Sequence, residues 1–371
     1  MSATLRAISE AGTSIWLDDL SRERMIPGGK SRHLSELINL DHVVGVTTNP
    51  AIFSASISKS SLYSDDLRNL AAQGHSAESI IAELTTADVK QACDIFLPVF
   101  ERSNGVDGRI SIEVDPRLAR NTEGTISQAR ELWEKVSRPN VLIKVPATLE
   151  GLPAIQQLTA EGISVNVTII FSVERYQAVL EAFIAGLEER VAKNLEISRI
   201  HSVASFFVSR VDTEIDPRLT SHSNSAALSL RGKAAIANAR LAYQHFESVL
   251  ASSRWSALAK SGGNIQRPLW ASTGVKDPSY DPTMYVVELV APLTVNTMPE
   301  PTLNAVRDTG TFRGNTATHD YENATSVLSE LKELGIDISE VALKLENEGI
   351  DKFIKPWLEL ISAVEVAARQ W

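Results

Sequence analysis

Short β-rich apolar runs recur along this chain with longer helical patterns between them, and that alternation restricts the fold more than any other feature. The runs fall at residues 14–17, 43–47, 109–114, 141–145, 164–171, 201–208, 268–273 and 284–290. About eight strands, most followed by a helix-like segment, are the signature of repeated parallel βα units. Residues 174–195 carry apolar side chains at three- and four-residue spacing, and 232–250 is alanine-rich, so both predict helices. Residues 320–370 read as wholly helical, with a break near Gly349. Two polar stretches read as long solvated connectors: 211–229, with Pro217 and a serine-rich tract, and 255–266.

These elements predict an α/β fold, a (β/α)8 TIM barrel with extra helices, including a helical C-terminal segment. A length of 371 residues suits one barrel domain over 1–371, with the helical extension from about 320 packed on it. No long Pro/Gly/Ser linker divides the chain. A formal net charge of −10 with no offsetting basic stripe speaks against a nucleic-acid partner, while leaving room for a few local cations to capture an anionic substrate. The single cysteine, Cys93, has no internal disulfide partner, and no Cys/His cluster has zinc spacing, so neither a metal nor another cofactor is expected. The polar N-terminus lacks a signal-peptide pattern, and no run approaches the roughly 18 apolar residues of a membrane span. A cytoplasmic protein, monomer or homodimer, is the expectation.

Alternate residues of a barrel strand point inward, and chemistry gathers at the C-terminal strand ends. Polar residues of one parity in an apolar strand are therefore candidates. In the fifth strand Ser164, Asn166 and Thr168 share a face. In the third, Ser111, Glu113 and Asp115 do. The fourth, Val141-Leu-Ile-Lys-Val-Pro-Ala-Thr148, holds Lys144 in a run with no other charge. Desolvation favours the neutral amine, whose lone pair attacks a carbonyl. The same placement also suits a lysine snorkelling from the strand end or a structural ion pair. Glu113 fits either a proton shuttle beside that amine or the acid of such a pair. Thr47 and Asn49 share a face at the end of the second strand. The first ends in Asp18 and Asp19, of which only one can face inward, and parity does not choose between them.

The segments Trp16-Leu-Asp-Asp19, Gly45-Val-Thr-Thr-Asn-Pro-Ala51, Ser111-Ile-Glu-Val-Asp-Pro-Arg-Leu118, the Lys144 strand, Gly162-Ile-Ser-Val-Asn-Val-Thr-Ile-Ile-Phe171 and Phe206-Phe-Val-Ser-Arg210 together resemble the transaldolase family, in order, over about 14–297. The resemblance implies roles. Lys144 matches the Schiff-base lysine, and Glu113 with Thr168 the pair that positions a catalytic water. Asp18 matches the acid/base for C–C cleavage. Asn49 and Asn166 match amides that bind donor hydroxyls, supported by Thr47 and Ser205. Phe207 matches the aromatic beside the site and Arg210 a phosphate-binding arginine. It further implies transfer of a dihydroxyacetone unit from fructose 6-phosphate or sedoheptulose 7-phosphate to an aldose phosphate, in the non-oxidative pentose phosphate pathway.

The chain departs from the family at the seventh strand. Ser272 matches, but the arginine expected shortly after it is absent, and Lys276 is the nearest cation. A lysine there supplies a point charge without the bidentate fork of arginine. The competing reading is a solvated loop lysine. The chain is also longer than typical members. Two other functions compete: a fructose-6-phosphate aldolase, whose shorter relatives carry tyrosine where this chain has Phe207, and a non-catalytic binding barrel, against which the Lys144, Glu113 and Thr168 set argues. Gly28-Gly-Lys-Ser31 fails as a phosphate-binding loop, because the first glycine would fall at Arg24 and no strand immediately precedes it. Trp357 and its neighbours read as a docking face of a helix.

Overall fold

The computed structural model describes residues 2–222, 224–318 and 320–369. Eight parallel strands close into a barrel in sequence order. They are β1 (Thr13–Asp18), β2 (Val43–Thr47), β3 (Arg109–Glu113), β4 (Val141–Pro146), β5 (Val165–Ile170), β6 (Ser202–Phe207), β7 (Arg267–Ala271) and β8 (Thr294–Met298). Helices cover the outside, so strands buried on both faces read as near-continuous apolar runs, as β4 does. The expected (β/α)8 barrel is the fold.

Packing inside the barrel depends on one small residue. Trp16 and Gly45 are register partners on β1 and β2. The fully buried indole occupies the space that a side chain on Gly45 would fill, with Trp16 Cε2 2.5 Å from the position of such a Cβ.

The seven strands from the N-terminus lie where the sequence places them, but the eighth does not. Residues 284–290 are not a strand: Met284–Val287 is a short helix, and β8 lies at Thr294–Met298. Tyr285, Val286, Val287, Leu289 and Val290 are all buried, so their hydrophobicity reports packing and not extended backbone. The connector expected at 211–229 is also helical, in Ser209–Ser221 and Ser225–Ser229, with Ser223 outside the described residues. Two of its acids are buried and bonded: Asp212 accepts from the Ala235 amide and the Tyr285 hydroxyl, and Asp216 from the Gly232 amide and the Tyr280 hydroxyl. In 255–266 the first half belongs to the helix Ser253–Lys260, capped by the Ser252 hydroxyl, which accepts from the Trp255 amide.

The C-terminal region forms two helices, Tyr321–Glu333 and Ile338–Ala368, and Gln370 lies outside the described residues. No break occurs at Gly349. The chain turns instead near Gly335, whose φ of 78° suits glycine. No helix among the described residues is long and apolar enough to cross a membrane.

Candidate active site

Lys144 sits on β4, paired in register with Glu113 of β3 and Asn166 of β5. Its side chain is 6% exposed. Its Nζ donates to Glu113 Oε2 at 3.0 Å and to the Thr48 carbonyl at 2.8 Å. A buried ammonium is tolerated only when paired and hydrogen-bonded, and this one is both. Burial pushes the Glu113 carboxyl above the usual carboxylate range, opposed by the charge and hydrogen bond of Lys144.

Glu113 Oε1 and Thr168 Oγ1, on the two strands flanking β4, are buried without a protein partner. An unsatisfied buried polar group costs roughly 1–3 kcal/mol, so both atoms are suited to a hydroxyl or a water. Beside them Asn166 is held from both sides: its Nδ2 donates to Ser111 Oγ at 3.0 Å, and its Oδ1 accepts from Ser205 at 2.7 Å. The shared parity of Ser111 with Glu113, and of Asn166 with Thr168, is what brings these groups to one interior.

Geometry also separates the adjacent aspartates at the end of β1. Asp18 accepts from Thr47 Oγ1 at 2.7 Å and lines the same cavity as Lys144. Asp19 instead pairs with Arg24, whose guanidinium also binds Glu300. Burial raises the Asp18 carboxyl above its ordinary range, with the Lys144 charge and the Thr47 hydrogen bond pulling the other way. Asn49 caps the helix Pro50–Lys59, its Oδ1 accepting from the Ile52 amide at 3.1 Å, while the residue also lines the cavity.

This cavity, of about 200 Å³, brings together Asp18, Thr47, Asn49, Lys144, Thr168, Ser205, Phe207, Arg210, Ser272 and Lys276. Glu113 and Asn166 stand behind that lining and reach it through Lys144 and Ser205. On the far side Arg210, in the first turn of the helix Ser209–Ser221, stacks its guanidinium 5.1 Å from the Phe207 ring centroid. Arg210 Nη1 is buried without a partner. Ser272 holds the start of that helix: its carbonyl accepts from the Ser209 amide, and the two hydroxyls lie 3.0 Å apart. Lys276 is exposed at the rim, its Nζ 3.6 Å from where a Cβ on Gly274 would lie. A helix start, a desolvated guanidinium and a nearby ammonium form a setting for an anionic group. Ile169 and Ser272, at the ends of β5 and β7, both take left-handed backbone (φ 60° and 54°). For a β-branched residue such as Ile169 that conformation is strained, and strain of this kind gathers at functional sites.

Sequence reasoning missed three contributors. Thr297 bonds the Thr47 hydroxyl at 2.6 Å and lines the cavity. It lies in a polar strand, downstream of the more apolar run at 284–290 that reads as β8 in the sequence. The Thr48 carbonyl is a backbone group, which no side-chain pattern signals. Phe353 arrives from the helix Ile338–Ala368, its ring centroid 5.7 Å from Lys144 Nζ. Its helical spacing resembled any core-facing stripe.

A buried lysine–carboxylate pair at the C-terminal mouth of an eight-stranded parallel barrel, ringed by hydroxyls and amides and facing a cationic rim, defines a barrel enzyme of carbonyl condensation chemistry. The sequence profile described as Transaldolase/Fructose-6-phosphate aldolase matches residues 15–364. A transaldolase of Thermobifida fusca is 54% identical over 364 residues, covering 98% of both chains. One of Mycolicibacterium smegmatis is 55% identical over 361 residues, covering 97% of this chain and 96% of its own. One of Arthrobacter is 54% identical over 367 residues, covering 99% and 98%. The chain belongs to the transaldolase/fructose-6-phosphate aldolase family. The match extends beyond 297 into the C-terminal helix, and the chain's length is one these relatives share.

Proposed function

We propose that the barrel mouth acts as a transaldolase, moving a dihydroxyacetone unit from fructose 6-phosphate or sedoheptulose 7-phosphate to an aldose phosphate through an imine on Lys144. The observation that carries this reading is the buried amine of Lys144 in register with Glu113, opening on a cavity that ends in Arg210. Lys144 adds to the ketose C2 carbonyl when its proton is held elsewhere, and Glu113 is within hydrogen-bond reach to take it. Loss of water from the carbinolamine needs a proton delivered to its oxygen. Glu113 Oε1 and Thr168 Oγ1 are the unpartnered atoms available to relay it through a water. The iminium then draws electrons from the C3–C4 bond as Asp18 removes the C4 hydroxyl proton. A carboxyl raised by burial suits that task better than an ordinary one.

Asn49 and Asn166 are read as hydrogen-bonding partners of donor hydroxyls, with Thr47 and Ser205 fixing the acid and the amide. Arg210, Ser272 and Lys276 are read as the phosphate end, which sets the reach of the donor from Lys144. The reading treats 1–371 as one domain, because the C-terminal helix supplies Phe353 to the cavity and is not a separable appendage. Acceptor dependence tests the activity. Steady-state turnover of fructose 6-phosphate should require erythrose 4-phosphate, and Lys144→Ala should remove it while the far-UV circular dichroism spectrum is unchanged. Sustained release of free dihydroxyacetone by the wild type without acceptor would mean a lyase instead.

A further inference from the structure

The helix Ile338–Ala368 crosses the mouth and turns two positions, one helical turn apart, toward the site. A Cβ on Gly349 would lie 3.6 Å from Arg210 Nη1 and 3.6 Å from Phe171. Four residues on, Phe353 is 8% exposed and stands over Lys144 Nζ. Residues at i and i+4 share a helix face, so one face leaves room at the guanidinium and places bulk at the amine. The lining near Lys144 is otherwise largely polar, with Asp18, Asn49, Thr168 and Ser205. Phe353 is the apolar cover brought to that amine from outside the barrel strands.

We propose that Phe353 determines the partition between transfer and hydrolysis, by keeping bulk water from the carbon nucleophile formed on Lys144. The inference rests on the Schiff-base reading above. After C–C cleavage the three-carbon unit remains on Lys144 as an enamine. In transfer, its nucleophilic carbon forms a bond to the acceptor aldehyde carbon and the aldehyde oxygen takes a proton. Water then adds to the imine carbon so formed, and the C–N bond breaks to release the product ketose and the free amine. In hydrolysis, the same carbon takes a proton from solvent and water adds to the resulting imine carbon. The C–N bond then breaks, releasing dihydroxyacetone and the free amine, with one water consumed. Both routes end with water at the imine carbon; only the second needs a proton from solvent at the enamine carbon, and that is the encounter the ring hinders. Truncating the ring frees more than the roughly 10–15 Å³ that one water needs, against a wall with polar partners to hold it.

The test compares wild type with Phe353→Leu, Phe353→Val and Phe353→Ala. With fructose 6-phosphate and erythrose 4-phosphate, sedoheptulose 7-phosphate and free dihydroxyacetone are quantified together, and the Lys144 adduct is trapped with borohydride in each protein. The expected ratio of hydrolysis to transfer rises at least tenfold in Phe353→Ala and at least threefold in Phe353→Val. It stays within twofold in Phe353→Leu, which keeps the bulk. Should the alanine variant fold poorly by circular dichroism, the valine and leucine pair decides. A ratio within twofold of wild type in the folded truncations, with the adduct still trapped, would overturn the role given to Phe353 alone. No adduct in the wild type would overturn the Schiff-base reading and this inference with it.

Discussion

Replacing Glu113 with glutamine keeps volume and one acceptor oxygen but removes the negative charge 3.0 Å from Lys144 Nζ. Opposite unit charges at that distance attract by roughly 5–6 kcal/mol at an effective dielectric of about 20, before either desolvation cost is subtracted. Breaking a buried pair by removing one partner typically destabilises by about 3–5 kcal/mol. The Thr48 carbonyl and the glutamine oxygen still accept from the ammonium, which puts this site at the lower end, near 3 kcal/mol. Chemistry should suffer more than stability. Loss of a positioned general acid–base group lowers turnover by roughly 10²- to 10⁴-fold, and imine formation is the step that slows. The assay pairs steady-state kcat, from coupled detection of glyceraldehyde 3-phosphate, with urea unfolding of the same preparations and rapid-quench trapping of the imine. A kcat within threefold of wild type, with imine formation unslowed, would refute proton transfer by Glu113 and leave the pair a structural one.

Three further substitutions probe other parts of the account. Lys276→Ala should raise KM for phosphorylated donors more than it lowers kcat, and an unchanged KM would take Lys276 out of the phosphate end. Gly45→Ala would push a methyl group into the Trp16 ring at 2.5 Å, and overpacking of this kind costs typically 1–3 kcal/mol, visible as a lower urea midpoint. Burial raises the Asp212 carboxyl to about 7 despite its hydrogen bonds from the Ala235 amide and the Tyr285 hydroxyl. With a folded value above the unfolded one, its contribution is complete below about pH 4 and is lost as pH rises through 7, at up to about 1.4 kcal/mol per pH unit. Asp212→Asn should therefore gain stability relative to wild type between pH 5 and pH 8 in urea titrations, and a pH-independent difference would count against a neutral Asp212.

Side-chain parity carried most of what could be read in advance. Inward-facing Glu113, Lys144, Asn166 and Thr168 are separated by up to 55 positions, yet each announced itself as a polar residue in an apolar strand, whereas Ser205 came from the family resemblance. The barrel then fixed which strands stand side by side. Parity failed where its premise failed. Asp18 and Asp19 lie at a strand end, where parity left both open; the resemblance pointed to Asp18, and Asp19 pairs with Arg24 from the following turn. β8 holds Thr294, Asn296 and Thr297 in five residues, while the more apolar run at 284–290 owes its hydrophobicity to a buried helix. Asp212 and Asp216 looked solvated because nothing local reveals that Tyr285 and Tyr280, some 70 residues away, will bond them. The position of Phe353 over Lys144 follows from how a long helix crosses the barrel, which helical spacing alone does not encode.

The most direct measurement is mass spectrometry after borohydride reduction in the presence of fructose 6-phosphate. One added three-carbon or six-carbon unit is expected, carried by the tryptic peptide that contains Lys144 and absent when sugar or reductant is omitted. A stable modification on another lysine, or none on an enzyme that is turning over, would contradict it.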